Sequence, residues 1–284
     1  MLVQELKFHE EAASAPVARK RGTAIVVTSG KGGVGKTTTV ANLGTALAQR
    51  GFDVVLVDAD VGLRNLDIAL GLESRVQHHL LDVLEEQVEL DDALVPDKHS
   101  PRLRLLAAAQ TREKEDVDTQ QMRALIGTLT ERFDYVLIDC PAGIEKGFKN
   151  AVAGADDAIV VCTPEVSAVR DVDRVVGLLG NRFKPRLIVN RVRPQLVAKG
   201  KMLSVEDVNS ILRLPLLGVI ADEPDVIVAS NRGEPLALDG ASKTGAAYRA
   251  IAARMLGDEV AIPEVAVARQ GFIAKLGSLF GGRR

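Results

Sequence analysis

Short apolar runs alternate with amphipathic stretches from Thr23 onward, and this alternation is the main structural signal in the chain. Continuous aliphatic runs are typical of buried strands, whereas apolar positions three and four residues apart are typical of helices. The predicted strands are Ala24–Thr28, Val54–Val57, Leu103–Leu106, Tyr135–Ile138, Ala158–Val161, Leu187–Val189 and Leu216–Ile220. The clearest helical patterns are Thr37–Gln49, Thr119–Thr130, Ser167–Leu179 and Ser204–Leu212.

This order of elements predicts an α/β fold, with a mostly parallel sheet of about seven or eight strands flanked by helices on both faces. Right-handed crossovers bring the carboxyl ends of the strands to one edge, where ligands bind. We expect one main domain over residues 23–257. Residues 1–22 are expected to form a flexible N-terminal tail, and residues 258–284 a linker followed by a C-terminal helix.

The composition restricts the class of protein. Aromatic residues make up only 3% of the 284 residues, so the core is expected to consist of Val, Leu, Ile and Ala. A formal net charge of -2 argues against a protein that coats nucleic acid. Cys140 and Cys162 form no Cys-x-x-Cys pair, which fits a reducing cytoplasm. No uncharged stretch reaches the roughly 18 residues that a membrane-spanning helix needs.

The strongest chemical motif follows the first predicted strand and matches G-x-x-x-x-G-K-[ST]. Its residues are Gly30, Lys31, Gly32, Gly33, Val34, Gly35, Lys36, Thr37 and Thr38. The glycines allow successive backbone N–H groups to surround phosphate oxygens, and the following helix directs its positive end at the same anion. Lys36 is expected to reach the β- and γ-phosphates and the Thr37 hydroxyl to ligate Mg²⁺. The motif therefore predicts a nucleotide site of the P-loop type rather than a glycine-rich turn with a solvated lysine.

Acidic residues follow two of the predicted strands. Asp58 and Asp60 come directly after Val54–Val57, and Asp139 follows Tyr135–Ile138. Phosphoryl transfer depends mainly on positioning and charge neutralisation, so one carboxylate could hold Mg²⁺ while another orients the attacking water. Asp58 has a second interpretation, since it could simply cap the next turn.

The segment from Lys31 to Thr38 matches K-G-G-x-G-K-[ST]-[ST] and resembles the deviant Walker A ATPases, the ParA–MinD family. The resemblance implies an Mg²⁺-dependent ATPase that is active as an ATP-bound homodimer. It further implies that Lys31 crosses the dimer interface to the phosphates of the partner's nucleotide, where the alternative is a solvated surface charge.

The same resemblance assigns further roles. Asp60 would position or deprotonate the attacking water, Asp58 would support the site, and Asp139 would contact Mg²⁺ through a water. Gly143 would sense the γ-phosphate through its backbone N–H. The side-chain amide of Asn190 would read adenine, although asparagine after a strand is also an ordinary turn residue.

Several longer stretches resemble the branch of this family that places the bacterial division site. They are Asp58–Asp67, Pro141–Glu145, Thr163–Asp171, Met202–Val208 and Ala229–Pro235. This resemblance implies a MinC-like division inhibitor as a partner, and a MinE-like stimulator where one exists. It places Glu165, Ser167 and Asp171 at the dimer and partner surface. The same residues could instead begin a helix, with Ser167 as its cap and Asp171 in its first turns.

The last sixteen residues, 269–284, carry four basic side chains and no acidic one. At 100° per residue they place Phe272, Ile273, Leu276, Leu279 and Phe280 on one apolar stripe, with Lys275 beside it. Such a stripe predicts an interfacial helix on an anionic membrane, a feature that the resemblance also implies, rather than a helix packed on the domain. Two such helices in an ATP-bound dimer would bind with avidity.

These features and the resemblance together imply a cytoplasmic ATPase, peripheral on the inner face of the cell membrane. It would recruit the MinC-like inhibitor to the membrane and leave after ATP hydrolysis, without specific binding to nucleic acid. The alternatives within the family are a regulator of flagellar number and a ParA-type partitioning ATPase. An iron–sulfur carrier would need a pair of cysteine ligands, and Cys140 and Cys162 lack that spacing. A tyrosine kinase of this family would carry a tyrosine-rich tail, whereas this chain has two tyrosines. A pure binding module would lack the carboxylates of a hydrolase, and Asp60 and Asp139 are both present.

Overall fold

The computed structural model describes residues 20–110 and 117–263 of the chain. In this part of the protein, eight strands form one sheet in the order β3-β4-β2-β5-β1-β6-β7-β8. The strands are β1 (Thr23–Thr28), β2 (Val54–Asp58), β3 (Leu94–Pro96), β4 (Leu103–Leu106), β5 (Tyr135–Asp139), β6 (Asp157–Cys162), β7 (Arg186–Val192) and β8 (Leu216–Ala221). The predicted α/β fold with a mostly parallel sheet is confirmed.

All seven predicted strands are present, and the eighth is a short edge strand that the pattern did not predict. β3 pairs antiparallel with β4, whereas every other strand pair is parallel. β3 has only three residues and ends at Pro96, and a run this short carries no recognisable period. Proline is tolerated there because an edge strand leaves backbone N–H groups unpaired.

Helices cover both faces of the sheet. They are α1 (Lys36–Gln49), α2 (Leu66–Leu70), α3 (Leu80–Leu84), α4 (Leu90–Ala93), α5 (Thr119–Arg132), α6 (Lys146–Ala153), α7 (Val166–Leu179), α8 (Pro194–Ala198), α9 (Val205–Leu212), α10 (Asp225–Arg232) and α11 (Lys243–Met255). Side chains satisfy the first N–H groups of several of them. Asp118 caps α5, Ser204 and Asp207 form a capping box at α9, and Ser242 caps α11.

The core consists of two layers, one on each face of the sheet, because successive strand residues point to opposite sides. On β1, Ala24 and Val26 face the layer that includes α5, α7 and α9. Ile25 and Val27 face the layer that includes α1, α2 and α11. Burial on both faces explains why the central strands are continuous apolar runs rather than alternating ones.

Contacts of the described chain extend to both sides of the predicted domain boundaries. Before β1, Gly22 N donates to Thr130 O, and Arg21 pairs with Asp156. After α11, Arg50 pairs with Asp258, and the Arg254 guanidinium bridges β8 to the segment that follows α11. Among the described residues, no helix has the length and apolar content needed to cross a lipid bilayer.

Candidate nucleotide-binding site

The glycine-rich loop joins the carboxyl end of β1 to the start of α1, as the sequence predicts. Gly35 is the N-terminal boundary residue of α1 and has a φ of 97°, and Gly33 has a φ of 75°. Residues with a Cβ rarely adopt such positive φ angles, so these two positions need glycine. No side chain of the described residues caps α1, in contrast to α5, α9 and α11. Its free N–H groups therefore suit an external anion such as phosphate.

Two functional side chains at the start of α1 point to the edge of the sheet. The Lys36 ammonium is buried and donates to Ser29 Oγ at 3.1 Å. The Thr37 hydroxyl donates to Asp139 Oδ2 at 2.6 Å. The Ser29 hydroxyl in turn donates to the carbonyl of Lys31 at 2.7 Å, so it holds the loop as well as Lys36. Ser29 precedes the motif and is not part of it. In the sequence, only its position next to the loop could have indicated that it contacts Lys36.

Asp58 and Asp139 lie opposite each other on adjacent parallel strands, in register at the ends of β2 and β5. Burial and the neighbouring Asp139 raise the pKa of Asp58. Burial also raises the pKa of Asp139, although the Thr37 hydroxyl and Lys36 oppose that shift. Asp58 accepts hydrogen bonds from the backbone of Asp60 and Leu66, so it also caps the following turn.

Asp139, together with the Thr37 hydroxyl, fits a hydrated Mg²⁺. Asp139 Oδ1 is buried and has no hydrogen-bond partner within residues 20–110 and 117–263, while Oδ2 contacts Thr37. A hydroxyl and a carboxylate side by side form an oxygen ligand set of the kind that Mg²⁺ prefers. Thr37 and Asp139 could thus hold the ion that the motif predicts. Asp58 is committed to backbone N–H groups and lies beside them.

Asp60 and Gly143 lie on the loops that follow these strands. Asp60 is half-buried, and its backbone N–H donates to Asp58 Oδ1 at 2.9 Å, which fixes the loop to the end of β2. Gly143 has a φ of 95° and open space around it. A Cβ on Gly32 would lie 3.6 Å from Ala142 Cβ, so the phosphate loop and the loop of Gly143 are neighbours.

The second lysine of the loop contacts the start of α7. Lys31 Nζ lies 3.3 Å from Glu165 Oε2 and 3.2 Å from Ser167 Oγ. Asp171 approaches the loop from the same helix, since a Cβ on Gly30 would lie 2.4 Å from its carbonyl carbon. The structure thus brings together the three residues expected at a partner surface and places them against the phosphate loop.

One interpretation of Ser167 is wrong. It does not cap α7, because the helix begins one residue earlier, at Val166, and Glu165 precedes it without a side-chain cap hydrogen bond. The Ser167 hydroxyl instead contacts Lys31.

Asn190 lies in β7, two residues before the strand ends, and is almost completely buried. Its Nδ2 donates to Val34 O at 2.8 Å, and its Oδ1 accepts from Arg191 N at 2.9 Å. A Cβ on Gly35 would lie 2.3 Å from Asn190 Nδ2. Asn190 therefore braces the phosphate loop, and its contact with adenine stays a prediction.

Beside Asn190 lies a cavity of about 330 Å³ that adjoins the phosphate loop. Its wall includes Gly35, Thr38, Arg193, Asp222, Pro224 and Tyr248. The Arg193 guanidinium donates to Asp222 Oδ2 at 2.5 Å. Arg193 and Asp222 belong to no motif that was predicted from the sequence, although both follow strand ends at the edge where ligands are expected.

The remaining predicted site residues lie outside the described part of the chain. They are the membrane-binding residues Phe272, Ile273, Lys275, Leu276, Leu279 and Phe280. Cys140 and Cys162 are buried, and burial raises the pKa of each thiol to about 12. Neither is poised as a nucleophile.

Comparison with known proteins gives consistent matches. The model of the CobQ/CobB/MinD/ParA nucleotide binding domain matches residues 25–236. The septum site-determining protein MinD of Bacillus subtilis is 52% identical over 266 residues, which cover 92% of this chain and 99% of that protein.

Two solved structures are also similar. The MinD chain of the MinC:MinD cell division protein complex from Aquifex aeolicus superposes with a TM-score of 0.79 at 44% identity, covering 86% of this chain and 99% of that one. MinD of Pyrococcus horikoshii in complex with Mg-ADP gives a TM-score of 0.75 at 30% identity, covering 82% and 96%.

Proposed function

The chain belongs to the MinD septum site-determining proteins of the CobQ/CobB/MinD/ParA family, and from this premise we propose that it is an ATP-dependent membrane switch that positions the division site. In the ATP-bound state it would form a homodimer, bind the inner face of the cell membrane and recruit a MinC-like inhibitor. Hydrolysis of ATP would release it. The Mg-ADP complex and the MinC:MinD complex of its relatives support the nucleotide and the partner.

The contact between Thr37 and Asp139 is the observation that carries the hydrolase part of the proposal. Mg²⁺, when bound there, would neutralise charge on the phosphate oxygens. The N–H groups of the loop would bind the phosphates, and Lys36 would leave Ser29 to reach the β- and γ-phosphates. Asp60 would orient the attacking water from the loop after β2.

The two lysines of the loop would divide the work. Lys36 is buried and serves its own nucleotide, whereas Lys31 is exposed by 39% and lies at the surface with Glu165. An exposed lysine at this position could reach phosphates in a second subunit. Dimerisation would then depend on the γ-phosphate, because that charge needs cations from both chains.

The membrane part of the proposal rests on residues 269–284. They carry a charge of +4 and the apolar stripe, which leaves −6 for the other 268 residues. An acidic body with a basic, apolar end suits contact with an anionic surface through that end alone. One short helix binds weakly, so pairing of two helices by the dimer would convert nucleotide state into membrane affinity.

Sedimentation with lipid vesicles tests the proposal. The full chain would be mixed with vesicles of phosphatidylglycerol and phosphatidylethanolamine in Mg²⁺ with ATP, ADP or no nucleotide. We expect strong sedimentation with ATP alone, and loss of it when residues 272–284 are deleted, while nucleotide binding remains. Equal sedimentation in all three conditions would contradict the switch. ATP-dependent binding to duplex DNA without vesicle binding would favour the ParA-type alternative.

A further inference from the structure

The carbonyl of Gly35, at the end of the phosphate loop, accepts two hydrogen bonds from Thr39 in α1. It accepts hydrogen bonds from the backbone N–H of Thr39 at 2.9 Å and from the Thr39 hydroxyl at 2.7 Å. Gly35 has a φ of 97°, a conformation that the loop needs so that its N–H groups face the anion. Whatever holds Thr39 therefore also holds the orientation of this peptide unit.

A tyrosine from α11 completes this arrangement. Tyr248 Oη lies 3.3 Å from Thr39 Oγ1, across 209 residues of sequence. A threonine hydroxyl has one proton, and that of Thr39 is directed to Gly35 O. The Tyr248 hydroxyl must then donate to Thr39, which gives a chain from Tyr248 through Thr39 to Gly35. Donation into a hydroxyl strengthens the bond that the hydroxyl itself makes.

This chain of hydrogen bonds is shielded from water. Thr39 is 0% exposed and Tyr248 is 1% exposed. Burial raises the pKa of Tyr248 to about 12, so the phenol keeps its proton at neutral pH. Tyr248 also lines the cavity of about 330 Å³ beside the phosphate loop, together with Gly35 and Thr38.

We propose that Tyr248 is a positioning residue of the nucleotide site, whose hydroxyl fixes Gly35 through Thr39 and thereby sets the affinity of the loop for phosphate. This rests on the nucleotide binding proposed above. Helix α11 then belongs to the site, although its sequence carries no phosphate motif. The Tyr248 ring packs in the core in either case, so only the hydroxyl is in question.

The test is Tyr248→Phe in the full chain, with Mg-ADP affinity measured by titration calorimetry. The dissociation constant should rise about three- to tenfold, as expected for the loss of one buried hydrogen bond. In steady-state hydrolysis KM should rise with kcat nearly unchanged, because the loop binds phosphate in ground and transition states alike. Tyr135→Phe is the matched control, since Tyr135 is the other tyrosine and starts β5, at the opposite end from Asp139.

A second set of variants separates this role from general stability. Thr39→Val should weaken Mg-ADP binding, whereas Thr39→Ser keeps the hydroxyl and should bind Mg-ADP like the unaltered chain. Adding Tyr248→Phe to Thr39→Val should weaken binding little further. Thr45→Val is the control, because Thr45 makes the same bond within α1, to Ala41 O at 2.8 Å. Unchanged Mg-ADP affinity in Tyr248→Phe, or additive effects in the double variant, would overturn the inference. Failure of the unaltered chain to bind nucleotide would instead overturn the proposed function.

Discussion

Lys31 Nζ lies 3.3 Å from Glu165 Oε2, so the second lysine of the phosphate loop is paired with the residue that precedes α7 in its own chain. The two side chains are 39% and 54% exposed. An ion pair this open to water contributes at most about 1 kcal/mol. The pair is therefore weak enough to exchange for another anion, and a second subunit's phosphates would be such an anion.

Replacement of Lys31 by alanine should separate nucleotide binding from dimerisation. We expect Lys31→Ala to bind Mg-ADP nearly as well as the unaltered chain, because Lys36 and the loop N–H groups remain. ATP-dependent dimers, measured by sedimentation velocity, should be lost. Lys149→Ala, in α6, is the matched control and should dimerise normally. A Lys31→Ala chain that still forms ATP-dependent dimers would exclude the cross-subunit role.

The sequence predicts the fold better than it predicts contacts across the site. Strands that are buried on both faces are continuous apolar runs in the sequence, and the phosphate loop has a fixed residue spacing. Both features can therefore be predicted from the sequence. The register between Asp58 and Asp139 cannot be predicted in this way. It depends on β5 lying next to β2 in the sheet, although β3 and β4 lie between them in the chain. Tyr248 was equally hidden, since a core tyrosine in a helix gives no sign of its hydrogen-bond partner.

The buried carboxyl pair should make the stability of the nucleotide-free protein depend on pH. Burial raises the pKa of Asp58 to about 8 and that of Asp139 to about 7, whereas an aspartate in the unfolded chain titrates near about 3.9. The folded state thus holds more protons than the unfolded state between these values. The free energy of unfolding should fall as the pH rises from about 4 to about 8.

Urea denaturation without Mg²⁺ at several pH values measures this dependence. Each carboxyl adds up to about one bound proton to the difference between the folded and unfolded states, and this difference sets the slope of the unfolding free energy against pH. Asp58→Asn and Asp139→Asn should each flatten the slope, whatever their effect on absolute stability. A double variant with the same slope as the unaltered chain would show that other groups cause the dependence.

Gly30 should tolerate a side chain less well than Gly32. A Cβ on Gly30 would lie 2.4 Å from the carbonyl carbon of Asp171, whereas on Gly32 the nearest atom is 3.6 Å away. Gly30→Ala must displace the loop or the start of α7, at a cost of about 1–3 kcal/mol. Gly32→Ala should change stability by less than about 1 kcal/mol. Urea denaturation of the nucleotide-free chains checks both, and equal effects would contradict the close approach of loop and helix.

The Arg254 guanidinium should hold the chain that leads to the C-terminal segment. It donates to Leu217 O of β8 at 2.7 Å, and to Val260 O and Ala261 O at 2.7 and 2.9 Å. Lysine keeps the charge but cannot span three carbonyls. Arg254→Lys should therefore speed hydrogen exchange in residues 256–263 about tenfold. Arg249→Lys is the control, because Arg249 binds Ala237 O and Asp239 O instead.

Release of this segment should also weaken the proposed switch. With the Arg254 contacts intact, only about eight residues separate the held segment from the apolar stripe that begins at Phe272. If residues 264–271 are the linker that the sequence predicts, release of residues 256–263 would roughly double its length. A linker of twice the length lowers the effective concentration of the second helix in a dimer by about two- to threefold. ATP-dependent vesicle binding of Arg254→Lys should fall by that factor, with ATP hydrolysis in solution unchanged. Normal vesicle binding despite faster exchange would mean that tether length does not limit pairing of the two helices.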